Sequence, residues 1–153
     1  MYSWVKRTRK MLFDYLETLP KEVYLQERPD FAYGSLRNIQ AHIAGCYLFW
    51  VGGMGLKHEI DKSALENIAD VAAMKHKFLE VDSVLEQAFT DFIDVDTIFE
   101  VVRPHRDTLA VSQRWLIMHP ITHEFHHKGQ LLALARVLGH PLPEDMFADL
   151  VTP

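Results

Sequence analysis

A four-helix bundle is the architecture this 153-residue chain predicts, and three observations predict it. Four stretches repeat apolar side chains at the spacing that keeps one side of a helix dry. No stretch alternates long enough to make a convincing sheet. The helical stretches are also bounded by helix punctuation: Ser35 and Ser63 stand at starts, and Gly139 and Pro141 follow an end.

The first helix is expected from about Tyr2 to Leu19, with Trp4, Met11, Leu12, Tyr15 and Leu19 on one side and Pro20 ending it. Lys6, Arg7, Arg9 and Lys10 read as its solvated face. The second begins after Ser35, a good N-cap, and carries Leu36, Ile39, Ile43, Cys46, Tyr47 and Trp50 up to a Gly52-Gly53 stop. The third opens on Ser63, with Glu66 completing the spelling of a capping box. It runs to about Asp91, and its stripe is Val71, Met74, Phe78, Val81, Leu85, Phe89 and Phe92. About twenty β-branched-rich residues follow, broken by Pro104, a long crossover able to hold a poor hairpin. The fourth helix runs from about Ser112 to Leu138, and Pro120 inside it should kink or delay it.

Composition narrows the function. With 48% hydrophobic and 24% charged residues the chain reads as an ordinary globular domain spanning 1–153. Sixteen Lys and Arg against twenty-one Asp and Glu leave a net charge of −5, which argues against nucleic acid as a partner. The charge is uneven: +3 over residues 1–57, −8 over 58–100 and 0 over 101–153. No linker divides these blocks, so one face of one domain should be acidic. The single cysteine, Cys46, excludes an internal disulfide framework or a multi-cysteine zinc ribbon and fits a cytoplasmic setting. The basic N-terminal stretch has no apolar run behind it, so a secretory signal is not expected. No window approaches the roughly eighteen apolar residues of a membrane span.

Nine histidines are unusual, and four of them fall within residues 119–127. With about 100° per residue and Leu116 at zero, His123 falls at about −20° and His127 at about +20°, within the Leu116, Leu131, Leu134 and Leu138 stripe. Two imidazoles one turn apart on a core-facing stripe are costly to bury without partners, and a shared metal ion is a common compensation. His42 lies between Ile39 and Ile43 around the second helix and is the only basic residue on that face. His42, His123 and His127 therefore form a candidate metal site with a position left open, as a catalytic zinc requires. The rival reading is a buried polar cluster without metal. His119 and Gln130 flank the stripe as candidates to support the ligands from behind, and His126 is a boundary residue. His58, His76, His105 and His140 read as surface or loop residues, and Cys46 as a small buried filler.

Residues 123–127 also spell H-E-x-x-H, the zinc-protease string in which the glutamate activates water. Its usual extension fails, because Gln130 and Ala133 stand where Gly and His are needed, and a further ligand is available only at Glu144 beyond a Gly/Pro break. Glu124, at about 80°, points away from the stripe and is a poor general base.

Two segments carry a resemblance. SLRNIQAHIAGCYLFW and LIMHPITHEFHHKGQLLALARVLG resemble the second and last helices of the DinB-like, YfiT-related superfamily of small helical bundles. The second segment shows the His-x-x-x-His pair, the Gly-Gln pair and the closing Gly typical of that helix. Helix order, length and the long connection before the last helix match too. The resemblance implies an up-down-down-up four-helix bundle, often dimeric, with its metal triad on His42, His123 and His127. It also implies kinship with metal-dependent transferases and isomerases that use a low-molecular-weight thiol such as bacillithiol, mycothiol or glutathione.

The expectation is thus a cytoplasmic protein binding a divalent metal, zinc first and nickel second, and acting as a thiol-dependent transferase on a small-molecule substrate. A non-catalytic metal-binding or stress-response bundle and a metal-dependent hydrolase are the alternatives. The far side of the last helix, with Met118, Ile121, Phe125 and Leu132, is apolar enough to suggest a homodimer contact.

Overall fold

The computed structural model describes residues 2–61, 63–103 and 106–142. Four long helices make the bundle: α1 (Tyr2–Leu16), α3 (Leu36–Tyr47), α4 (Val71–Asp91) and α5 (Gln113–Val137), with a short α2 (Lys21–Leu25) between the first two. A small antiparallel hairpin, β1 (Ile98–Val101) and β2 (Leu109–Ser112), fills the long connection before α5. Its register pairs Ile98 with Ser112 and Val101 with Leu109. Pro104, His105 and Glu144 lie outside the described residues.

The main core is the convergence of the expected stripes. Leu12 and Leu16 of α1, Leu36, Ile39, Ile43 and Tyr47 of α3, Met74, Val81 and Leu85 of α4, and Leu131 and Leu134 of α5 are all essentially closed to solvent. A satellite core under the hairpin holds Val101, Val111 and Leu116, with Trp50, Met54, Phe92 and Trp115 packed on it. The hairpin is stable because its buried residues sit on aromatic groups of α5 and the end of α3, which an isolated two-stranded ribbon lacks. Among the described residues no helix is long and apolar enough to cross a membrane.

Several boundaries differ from expectation for identifiable reasons. α1 stops at Leu16, where the amides of Thr18 and Leu19 tighten onto the carbonyls of Tyr15 and Leu16, and Pro20 then starts α2. Ser63 does not cap α4. Its hydroxyl donates to Asp61 at 2.6 Å, leaving one 3₁₀ turn over Ser63–Leu65, while Asp70 accepts from the Ala73 amide and begins α4. Gly52-Gly53 is no stop either: α3 continues as a π-helical stretch, Leu48–Gly55. Both glycines allow close approach: a Cβ on Gly53 would lie 2.2 Å from Ile60 Cδ1 and one on Gly55 2.7 Å from the Phe92 ring, so a side chain at either place would force its neighbour to shift. α5 runs unbroken through the buried Pro120, in a stretch where Leu116, Ile117 and Ile121 are buried as well.

Two side-chain expectations also fail. Trp4 and Phe89, placed on apolar stripes, are about half exposed at the edges of those stripes. Arg9, read as part of a solvated face, is only 4% exposed.

Candidate metal centre

Arg9 is buried because it meets Glu124. Its Nε and Nη2 donate side-on to the two carboxylate oxygens at 3.1 and 2.7 Å, and Nη1 reaches Asp82 of α4 at 2.6 Å. Lys128, one turn along α5, donates to Glu124 Oε1 at 2.8 Å and to the Thr8 hydroxyl at 2.6 Å. The Tyr47 hydroxyl of α3 donates to the other Glu124 oxygen at 2.7 Å. Two cations and two carboxylates thus balance inside the bundle and join all four long helices. Burial pushes the Glu124 carboxyl up, but Arg9 and then Lys128 outweigh it and hold it below the usual carboxylate range.

This network revises the reading of α5. The buried arc runs from about 0° at Leu116 to about 140° at Ile121, with Glu124 near its middle and His123 just outside it. The histidines therefore stand on the rim of the buried face, where α5 opens on a cleft, and not at its centre. Charge balance from Arg9 of α1 and Asp82 of α4, with the Tyr47 hydroxyl of α3, puts the Glu124 and Lys128 pair where apolar residues were expected. Glu124 does point away from the histidines. Both its oxygens are committed to the network, so it has no lone pair directed to a water at the histidine site.

The three selected histidines come together. His123 Nε2 lies 3.1 Å from His42 Nε2 and 3.1 Å from His127 Nε2, and one ligand atom from each ring fits within 4.8 Å of the others. α3 brings His42 because Ile39 and Ile43 on either side of it are locked in the core. The i, i+4 spacing on α5 brings the other two. Burial, with the charge of neighbouring imidazoles second, lowers His42 and His123 to about 4 each. Burial also lowers His127 and His119. The triad is therefore neutral near pH 7, the state in which an imidazole nitrogen can bind a cation.

Gln130 and His119 take different places. The Gln130 carbonyl oxygen is 2.7 Å from His127 Nδ1, and its amide nitrogen 3.2 Å from His126 Nε2. That assignment puts the proton on His127 Nδ1 and leaves the Nε2 lone pair facing the other two rings. His126 itself is exposed. His119 stacks flat on Trp115, with ring centres 4.6 Å apart, and meets the edge of Trp50 at 5.5 Å. His123 Nδ1 is buried without a hydrogen-bond partner among the described residues. Three neutral imidazoles that can each turn a nitrogen to one point form a donor set that fits a divalent ion.

The sequence offered little warning of the remaining groups. Tyr33, from the loop before α3, lays its ring on His42 (centres 4.1 Å apart) and puts its hydroxyl 2.9 Å from His42 Nε2. It does so with a backbone φ of 63°, a left-handed conformation that costs a non-glycine residue about 1 kcal/mol. The only hint was its place beside Gly34, just before the Ser35 cap. Tyr33, His42, His119 and His123 open onto a cleft of about 670 Å³, lined also by Arg37, Phe49 and Trp50 among others, and by no described residue of the 93–111 connection. The π-helical stretch turns Phe49 and Trp50 into this wall. Cys46 also borders the cleft, but burial pushes its thiol up to about 12, so it offers no thiolate near neutrality. A second cavity, of about 410 Å³ between α1 and α4, contains none of the three clustered histidines.

The fold is a helical bundle, and its three clustered histidines are close enough together to share one metal ion. The chain belongs to the DinB family, whose model matches residues 1–150. No curated protein matches the chain.

Proposed function

We propose that this protein is a divalent-metal-dependent enzyme that joins a low-molecular-weight thiol to a small electrophile in the histidine cleft. The observation that carries the reading is the close grouping of three neutral imidazoles, two of which, His42 and His123, line a cleft large enough for a small molecule. His42, His123 and His127 would hold the ion, zinc first and nickel second on an all-imidazole donor set. The ion would supply a Lewis acid that lowers the pKa of a thiol, so that the thiolate predominates near neutrality.

The chain's own groups do the rest. Gln130 fixes the His127 tautomer, and the stacked Trp115 and His119 hold one wall rigid. Trp50 and Phe49 exclude water from one side of the thiol and present an apolar surface to the electrophile. The engagement of both Glu124 oxygens with Arg9, Lys128 and Tyr47 favours transfer over the hydrolytic chemistry of the H-E-x-x-H string. A homodimer in the cytoplasm remains part of this proposal. Ile121 belongs to the core, so the contact would rest on the exposed Phe125, with Met118 and Leu132 beside it.

The test is conjugation of monochlorobimane by the zinc-loaded protein, with bacillithiol, mycothiol and glutathione supplied in turn. Conjugation above the uncatalysed rate that is lost on chelation and in His123→Ala supports the proposal. A zinc-loaded protein that accelerates none of the three would contradict it.

A further inference from the structure

Tyr33 is a large aromatic residue whose place core packing does not explain. It is 45% exposed and lines the histidine cleft, yet its backbone holds a left-handed φ of 63°. The turn around it is tied down. The Arg28 amide donates to the Gly34 carbonyl at 2.6 Å, the Gly34 amide to the Phe31 carbonyl at 3.0 Å, and the Ser35 amide to the carbonyl of Tyr33 itself at 3.0 Å. Ser35 then caps α3, the helix that carries His42. A bulky residue fixed in a left-handed conformation is a costly arrangement of the kind that gathers at ligand sites.

What this arrangement achieves is the placing of a hydroxyl. The Tyr33 ring lies on the face of His42 and meets the His127 ring at a steep angle, with centres 5.3 Å apart. Its hydroxyl ends 2.9 Å from His42 Nε2, its one hydrogen-bond partner among the described residues. A metal ion sits about 2 Å from a histidine nitrogen that binds it, so an ion on His42 Nε2 would lie within about 5 Å of the Tyr33 oxygen. Holding the ion takes up the Nε2 lone pair, and the Tyr33 donor then loses its acceptor. Other polar groups beside the triad are already engaged: Gln130 with His127 and His126, and Glu124 with Arg9, Lys128 and Tyr47.

We propose that the Tyr33 hydroxyl donates a hydrogen bond to the group held at the ion's open position, and that it selects an anion whose bound atom keeps a lone pair. A thiolate sulfur meets that condition. A neutral imidazole does not, because the nitrogen that binds the ion has no second lone pair to accept with. This rests on the reading of the three histidines as a metal site. It gives the thiol of the proposed reaction a direct contact with the chain, from a residue outside the ligand set.

The experiment titrates cobalt-loaded protein with 2-mercaptoethanol, in the absence of oxygen, and separately with imidazole, following the visible absorption of the ion. It is run on the wild type and on Tyr33→Phe, which keeps the stacked ring and removes the hydroxyl alone. Cobalt content is measured after each titration so that metal loss is seen separately. Tyr33→Phe should bind 2-mercaptoethanol at least about fivefold more weakly than the wild type, with imidazole binding changed by less than about twofold. Unchanged or tighter 2-mercaptoethanol binding in Tyr33→Phe would overturn the proposal and leave the hydroxyl as a cover. An equal loss for both ligands would overturn it too, since a merely structural role moves both. No electrophile is present, so a protein that behaves as expected here but conjugates nothing would sink the transferase reading and leave this one standing. A wild type that takes up no cobalt would remove the metal site and this proposal with it.

Discussion

The hydroxyl of Tyr33 lies 2.9 Å from Nε2 of His42, the same nitrogen that faces His123 at 3.1 Å. An imidazole nitrogen has one lone pair, so a hydrogen bond from the phenol and a bond to an ion exclude each other at this atom. Tyr33 is therefore a competitor for the site as well as its cover. Replacing it with phenylalanine keeps the stacked ring and removes the competing bond. Tyr33→Phe should bind zinc about two- to tenfold more tightly in a chelator competition titration, the scale of one neutral hydrogen bond. Weaker binding in Tyr33→Phe would show that the hydroxyl assists the ion.

Gln130 acts on the site through His127. Its carbonyl oxygen accepts from Nδ1, and supports of this kind are typically worth about ten- to a hundredfold in metal affinity. Gln130→Leu should lose zinc affinity on that scale with little change in the melting temperature of the metal-free protein. His126→Ala, which removes only the partner of the Gln130 amide nitrogen, should change affinity far less.

The pH dependence has a definite sign. His42 and His123 titrate near 4 when folded, against 6.5 for a free histidine, chiefly because they are buried. Between those values the unfolded chain binds more protons than the folded one. The metal-free protein should keep a constant histidine contribution above about pH 7 and lose stability as pH falls through 6.5 toward 4. Urea midpoints at pH 7, 5.5 and 4.5 measure this, and the slope should be shallower in the His42→Ala, His123→Ala double variant. An equal slope in that variant would assign the loss to other groups.

Glu124 separates structure from chemistry. It is 1% exposed and paired with Arg9 and Lys128, so Glu124→Ala leaves two buried cations short of a partner. Breaking such a pair costs about 3–5 kcal/mol, to be read from urea denaturation. Glu124→Gln, which keeps the shape, should retain zinc and conjugating activity at temperatures where it remains folded. Loss of activity with zinc retained would return Glu124 to the role the H-E-x-x-H string suggests.

The folding of these residues shows what a linear pattern carries. His42, His123 and His127 were legible because each lies on a helix whose phase is fixed by neighbouring aliphatic residues. The exact facing was less legible. Glu124 and Lys128 count as polar in any periodicity, yet they lie within the buried arc because Arg9 and Asp82, far away in sequence, complete a charge-balanced network with them. Arg9 itself was misread for the same reason. Tyr33 reaches His42 from a loop position with a positive φ, which leaves no periodic trace. Ser63 caps no long helix because the chain forms only a single 3₁₀ turn there and α4 begins at the Asp70 cap.

Metal content per chain tests the central claim most directly. Untagged protein expressed without added nickel should carry about one divalent ion per chain, as three histidines with an open position require. His42→Ala and His123→Ala should each lose it while remaining folded by circular dichroism. A wild type with little metal, purified beside a zinc enzyme that keeps its own, would contradict the account and leave the three histidines as a buried polar cluster.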